Sequence, residues 1–373
     1  MAAFDSDLDL VLSEHRPAIR ALHQTFYDLW QFGGNALVGW LPTLNGIEVL
    51  TMPKIRLFNT ASVPARTFAG KRRMGPRTFA EIAEAFGIQA VELRLDQPIG
   101  DGPGQLPLTL VEAVFSRFAV SKTSHRAVML IDIVGFTKYT AEQQASQLAS
   151  LEFALNIAGE ATREQGIEID LARLTTGDGF YVWNRAKGTE PDLALFVAFV
   201  MFMTYHALLA RQVRMPGAVS TLRAAIGVGS AYGHHQPNRD GTRDIEYIGG
   251  AINITLARLL QRTAANQIIV GDFQRPDDET GRLLPSDDFV RRASERLAGI
   301  KGLDILGYPV ERFAFYLTGP RRDDGSYGIQ KLRVVDKHGF EHFGYNAKIN
   351  TFLGSGESFY CGLQQAELVR AAG

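Results

Sequence analysis

Asp132 and Asp178 are the side chains whose type and setting point most directly to chemistry. Asp132 closes the apolar run in "MLIDIVGFTKYT", residues 129–140, and Asp178 sits in "TTGDGF". An ionised carboxylate buried without a partner is costly, so Asp132 requires a positive charge or a metal ion beside it. The two residues are 46 positions apart (178 minus 132). They meet if the strand ending at Asp132 lies beside the hairpin that carries Asp178. Paired acidic oxygens with a backbone carbonyl, that of Ile133, suit one or two hard divalent cations such as Mg²⁺ or Mn²⁺. The next residues, Val134, Gly135, Phe136 and Thr137, are expected to open a helix whose N–H groups hold phosphate. Taken singly, Asp132 reads as a helix cap and Asp178 as a turn residue. Their joint placement favours the metal.

The elements that must position this pair begin near residue 124. "RAVMLIDIV" reads as a buried strand, and residues 141–165 read as a helix with Leu148, Leu151, Leu155 and Ala158 along one stripe. "GIEIDLARLT" alternates apolar and polar residues and joins the strand "GFYVWNR" through a turn containing "TGDG". An apolar helix follows, then "STLRAAIGVGSAY", a polar loop, "IEYIGG", the helix "INITLARLLQRT" and the strand "QIIVGD". This order predicts an α+β fold, an antiparallel-rich sheet with helices covering one side.

Three regions are expected: 1–120, helical and then mixed; 124–318, the α+β domain; and 321–373, a β-rich extension. The extension has strands joined by the tight turn "DKHG" and too few apolar residues to fold alone. The first region contains "IGDGPGQLP", the best linker candidate. It also contains "RTFAEIAEAFGIQAVELRL", residues 77–95, which has helix-turn-helix spacing and lies downstream of "KRR" at 71–73. Ordinary paired helices give the same pattern, and Pro98 follows closely, so nucleic acid is not the expected partner.

The chain has 373 residues and 46% hydrophobic content, with 39 Lys plus Arg against 40 Asp plus Glu. No overall field recruits nucleic acid or acidic membrane. The single cysteine, Cys361, excludes an internal disulfide framework and fits a reducing compartment. Acidic residues at the N-terminus argue against a secretory signal, so a cytoplasmic location is expected. Residues 193–210 approach membrane-spanning length, but they lie between strands of one domain and contain Thr204, Tyr205 and His206. A buried core helix is expected there, with His206 a core histidine.

In this order and at these intervals, "LIDIVGFT", "TTGDGF", "RAAIGVG", "YIGGAIN" and "IKGL" resemble the catalytic domain of the class III adenylate and guanylate cyclases. The resemblance covers residues 124–318. It implies a ferredoxin-like cyclase palm that forms a homodimer with its active sites between subunits. It also implies two Mn²⁺ or Mg²⁺ ions per site, and conversion of a nucleoside triphosphate to its 3′,5′-cyclic monophosphate and pyrophosphate. Carried over by position, Asp132, Ile133 and Asp178 would hold the metals and Asn253 would orient the ribose. Arg258 would stabilise charge on the α-phosphoryl group, and Lys301 would contact the terminal phosphates.

The pattern departs in two places. The family's asparagine and arginine are four positions apart, whereas Asn253 and Arg258 are separated by five. On a regular helix that places them on nearly opposite faces. Either Asn253 precedes the regular helix, or the helix bulges, or Arg258 is not the catalytic cation. In the base pocket, purine-specific members carry a lysine and an aspartate where this chain has Leu174 and Glu246. Glu246 still offers an acceptor, and Thr175 or Thr176 adds a hydroxyl. The altered pocket resembles the bacterial pyrimidine cyclases of anti-phage signalling. An adenylate cyclase is the alternative within the family. The alternative outside catalysis is an inactive nucleotide-sensing module coupled to DNA through the helix-turn-helix.

Overall fold

A computed structural model describes residues 14–59, 70–213, 215–364 and 366–368. The acidic N-terminus and the start of the helical part of region 1–120 lie outside the described residues. In chain order the elements are α1 (Arg16–Trp30), β1 (Asn35–Thr43), β2 (Gly46–Pro53), α2 (Lys54–Asn59), α3 (Pro76–Phe86), β3 (Val91–Arg94), α4 (Leu108–Ser116) and β4 (Val120–Ile133). Next are α5 (Ala141–Glu164), β5 (Leu171–Thr175), β6 (Gly179–Asn184), α6 (Thr189–Gln212), β7 (Leu222–Pro237), β8 (Asp244–Gly249), α7 (Ala251–Leu260) and β9 (Ile268–Gly271). The last are β10 (Gln274–Pro276), β11 (Leu283–Pro285), α8 (Ser286–Ala298), β12 (Asp304–Ile305), β13 (Tyr308–Thr318), β14 (Lys331–Val335), β15 (Glu341–Leu353) and β16 (Ser358–Cys361).

The chain divides into two units: residues through Thr123 with Tyr232–Ile248, and Ser124–Ala231 with Gly249–Gly373. In the first unit β1, β2 and β3 form an antiparallel sheet. The helix-turn-helix spacing at 77–95 does not form that motif. Gly87 takes a left-handed conformation and ends α3, and the would-be recognition helix is β3, hydrogen-bonded along β2. "KRR" is not a free basic patch either. Arg72 is buried, its guanidinium donates to the Val120 carbonyl at 2.6 Å, and Glu112 accepts from the Arg72 and Arg73 amides. Nor is "IGDGPGQLP" a linker, because Leu106 is buried in the unit's core and its amide donates to the Pro98 carbonyl at 2.8 Å.

In the second unit β4-α5-β5-β6-α6-β7 gives the strand order β7-β4-β6-β5. This is the ferredoxin-like arrangement, with the fourth strand beside the first and the third between first and second. Alternation sends Met129, Ile131, Ile133, Phe180, Val182, Ala224 and Ile226 to one face, where they share a core with α5, α6 and α8. The α5 stripe behaves as its spacing predicts: Leu151, Leu155 and Ala158 are buried and Leu148 is partly so. Among the described residues α6 is the one helix long and apolar enough to cross a membrane, and 83% of its apolar window is buried within the protein. His206 is buried on it, with Ser220 Oγ 3.4 Å from its Nε2.

The expected boundary near 321 does not divide the structure. β14 and β15 do flank the "DKHG" turn, but β15 pairs with both β9 and β13 and lies inside the sheet. Its Ala347, Ile349 and Leu353 belong to the same core, so the extension completes this unit.

α7 packs on the sheet face opposite α5 and α6. β7 admits it closely because Gly227 and Gly229 have no side chains. A Cβ on Gly229 would lie 3.2 Å from the Ile252 Cβ.

Candidate functional site

The same alternation that buries Ile131 and Ile133 turns Leu130 and Asp132 to the α7 face, together with Tyr181, Leu174 and Arg223. β4 lies between β7 and β6, so Asp132 has Arg223 on one flank and the Asp178 turn on the other. The last pair of the β4–β6 ladder is Asp132↔Gly179, and the Ile133 amide donates to the Asp178 carbonyl at 2.9 Å.

Arg223 Nε donates to Asp132 Oδ2 at 2.6 Å, with the two side chains 30% and 13% exposed. Arg223 is therefore the positive charge that the buried carboxylate requires. The sequence reading did not single it out. Its signal was an arginine in "STLRAAIG" at the alternation that faces away from the core. Burial pushes the Asp132 carboxyl above its usual range. The Arg223 hydrogen bond and charge draw it down, and the neighbouring Asp178 carboxyl pushes it up again through charge and a shared hydrogen bond. The ladder thus brings the Asp178 turn beside Asp132 at the end of β4.

The Asp178 turn is built locally. Thr176 Oγ1 donates to Asp178 Oδ1 at 3.3 Å, and the Thr176 amide donates to the Gly179 carbonyl at 3.0 Å. Thr175 does not join Leu174 as a base contact: its register partner Phe180 belongs to the helix-covered face, and its Oγ1 accepts from the Gly177 amide at 3.0 Å. Arg173 also points away, donating to Asn156 Oδ1 on α5 at 2.9 Å.

Gly135, Phe136 and Thr137 do not open an α-helix directly. Gly135 is left-handed (φ 69°) and precedes a 3₁₀ turn, Phe136–Lys138. The long helix α5 starts at Ala141, where Thr140 and Gln143 form a reciprocal cap. The Lys138 and Tyr139 amides are used within the 3₁₀ turn, which leaves a shorter amide cradle than expected.

Asn253 lies inside α7, at its third residue, and not before the helix. It is 8% exposed, its Oδ1 is buried without a hydrogen-bond partner, and its backbone carbonyl accepts from the Tyr181 hydroxyl at 3.1 Å. Because α7 is continuous to Leu260, the five-residue spacing holds Arg258 away from Asn253. Arg258 instead pairs with Asp336 of the β14–β15 turn (Nε–Oδ2 3.5 Å) and donates to Gln261 Oε1 at 3.3 Å. It lines a cavity of about 310 Å³ with Arg262, Lys337 and that turn. Lys301 is exposed in the loop between α8 and β12, and Glu246 stands on β8, in the first unit.

Among the described residues no group of three or more His, Cys, Asp or Glu side chains converges as a preformed metal cage. The donor set is two carboxylates with the Ile133 carbonyl in the adjoining residue. That set fits a hard divalent cation whose remaining ligands are water and phosphate oxygens.

No family model and no curated protein matches the chain. Several solved structures are similar to it. The guanylyl cyclase Cya2 has 13% identity over 61% of this chain and 92% of its own, with a TM-score of 0.38. The adenylyl cyclase CyaB from P. aeruginosa has 17% identity over 44% and 93%, with a TM-score of 0.30. A bacterial light-regulated adenylyl cyclase has 10% identity over 70% and 61%, with a TM-score of 0.36.

Proposed function

We propose that this protein is a nucleotidyl cyclase that converts a nucleoside triphosphate to its 3′,5′-cyclic monophosphate and pyrophosphate. The reading is supported above all by one observation: the Asp178 turn adjoins Asp132 at the end of β4, where the Ile133 amide donates to the Asp178 carbonyl and Arg223 donates to the Asp132 carboxylate. Asp132 and Asp178 would hold Mg²⁺ or Mn²⁺, which supplies Lewis-acid charge for the triphosphate when bound. Arg223 holds Asp132 in place and adds a fixed cation beside the phosphates. Asn253, with a buried unpaired oxygen, orients the ribose, and a second copy of the chain completes each site.

The base is a pyrimidine, UTP or CTP. Leu130, Leu174 and Tyr181 make the nearby sheet face apolar, and Leu174 offers no hydrogen-bond donor to a purine ring. A cyclic pyrimidine nucleotide made in the cytoplasm is a signal, and anti-phage defence is the role we assign to it. One observation favours a sensing module without turnover: Arg258 is paired with Asp336 on the far side of α7 from Asn253.

The test is to incubate the purified chain with each of the four ribonucleoside triphosphates and Mn²⁺ and to identify products by mass spectrometry. Cyclic UMP or cyclic CMP is the expected product. Cyclic AMP alone would overturn the choice of base. The absence of any cyclic product would overturn catalysis in favour of the sensing module.

A further inference from the structure

We infer that the ring of Tyr181 sets the size of base the site accepts. This inference rests on the reading that the sheet face around Leu174 receives the base. Tyr181 is directly opposite Leu174 on β5 and Leu130 on β4, so the three side chains share one patch of the α7 face. Its ring is fixed at both ends. The Cα is in the ladder, and the hydroxyl donates to the Asn253 carbonyl at 3.1 Å, within the first turn of α7. The hydroxyl lies in a partly desolvated place, where burial raises its pKa.

Swinging the ring aside would break the hydrogen bond to that carbonyl. Tyr181 is therefore a rigid wall between the Leu174 patch and the residue that carries the unpaired Asn253 Oδ1. On this inference the site accepts a six-membered ring beside the wall. On the same inference a fused bicyclic ring would need the space that the phenol occupies, and a fixed side chain does not yield that volume without cost. The bond to the Asn253 carbonyl uses the hydroxyl's one proton, so the wall offers the base only an aromatic edge and an acceptor lone pair.

The test measures equilibrium binding of all four nucleoside triphosphates in Ca²⁺, and kcat/KM in Mn²⁺, for the native chain and three variants. Tyr181→Ala opens the wall, Tyr181→Met replaces it with a flexible side chain, and Tyr181→Phe keeps the ring without the hydroxyl. The native chain should prefer pyrimidines, and Tyr181→Ala and Tyr181→Met should each lower the pyrimidine-to-purine ratio by about tenfold or more, the scale of one misplaced group in an apolar pocket. Tyr181→Phe should keep the ratio within about threefold, because the wall remains. Tyr181→Met keeps most of the packing and serves if Tyr181→Ala fails to fold. A ratio unchanged in both Tyr181→Ala and Tyr181→Met, with products still formed, overturns the role of Tyr181 and leaves the cyclase standing. A binding ratio that shifts with no cyclic product from any chain supports Tyr181 and removes the cyclase. No nucleotide binding by the folded native chain overturns both.

Discussion

Replacing Gly179 by alanine tests the site without touching either carboxylate. Gly179 faces Asp132 in the β4–β6 ladder, and a Cβ placed there would lie 1.9 Å from the Ile131 carbonyl oxygen and 3.0 Å from the Asp132 Cα. Real Cβ contacts do not come closer than 3.0 Å, so the strands must part by at least 1.1 Å (3.0 minus 1.9). The obstacle is backbone, which cannot rotate aside as a side chain would. Overpacking of this kind costs about 1–3 kcal/mol, so the protein should still fold, with a lower denaturation midpoint. The function should suffer far more, because the displacement separates Asp132 from the Asp178 turn, and misplacement by 1 Å costs about 100-fold in rate. Gly177→Ala is the matched control. Gly177 has φ 98° with nothing within 4 Å of an added Cβ, so it adds backbone strain of about 1–2 kcal/mol without pushing the strands apart. Melting curves, Mn²⁺ affinity by paramagnetic resonance, and turnover should be measured on both. We expect similar losses of stability, with Mn²⁺ affinity and turnover falling mainly in Gly179→Ala. A Gly179→Ala chain with native Mn²⁺ affinity would refute the argument that the spacing of these strands holds the ions.

Asp132→Asn and Asp178→Asn should each abolish Mn²⁺ retention and turnover while leaving the circular dichroism spectrum intact; retention of Mn²⁺ by either would remove that residue as a ligand. If sites form between subunits, mixing Asp132→Asn with Asn253→Ala, each inactive alone, should restore about a quarter of native turnover through mixed dimers carrying one intact site; no recovery would place the site within one chain. Two buried groups should oppose each other in acid. Burial lifts Asp192 to about 6 despite its 2.7 Å bond from Arg275, so its contribution is fully present below about pH 4 and is lost as pH rises through 6. Burial lowers His206 to about 4, so its contribution is present above 6.5 and is lost as pH falls through 4. Denaturant titrations between pH 4 and 6.5 should therefore show Asp192→Asn losing more stability on acidification than the native chain, and His206→Gln losing less; parallel slopes in all three would refute both assignments. Asp192→Ala should cost about 1–3 kcal/mol, because it strips the buried Ala127 amide of its acceptor and Arg275 of its 2.7 Å bond while Asp278 still pairs with Arg275; a denaturation midpoint close to native would contradict this.

The βαββαβ core was legible because its signals are local. Strand alternation, the stripe on α5 and the turn residues at 176–179 each occupy a short window, and the ladder then follows. The errors came where tertiary contact outweighed local pattern. "FGIQAVELRL" has helix-compatible spacing, yet the left-handed Gly87 and pairing with β2 turn it into a strand. "IGDGPGQLP" has linker composition, but one buried leucine ties it to the core. The place of β15 between β9 and β13 depends on strands more than 30 residues apart (308 to 341 at their starts), which no window of sequence displays. The five-residue interval between Asn253 and Arg258 could be read as a problem from sequence. Which of its three solutions applies was not legible, because it turns on where α7 begins and on the turn holding Asp336.

On the proposed function, the charge count at the β4 terminus lets Arg223 and a metal ion share one site. Asp132 and Asp178 together carry two negative charges when ionised, and Arg223 supplies one positive charge at 2.6 Å from Asp132. A negative charge remains at a partly buried place, and the direction of the Asp132 shift records its cost: proton uptake is favoured by burial and by the second carboxyl, and Arg223 only partly offsets them. A second arginine would have neutralised the pair and sealed it as a structural ion network. With one, the pair remains short of positive charge and keeps carboxylate oxygens for another ligand. On the proposed function, a divalent ion would relieve that shortage and leave a net positive site, the electrostatic condition for holding a triphosphate. The arginine therefore does not argue against the metal. It fixes the first carboxylate in position, and on the proposed function the remaining charge would be met by a cation.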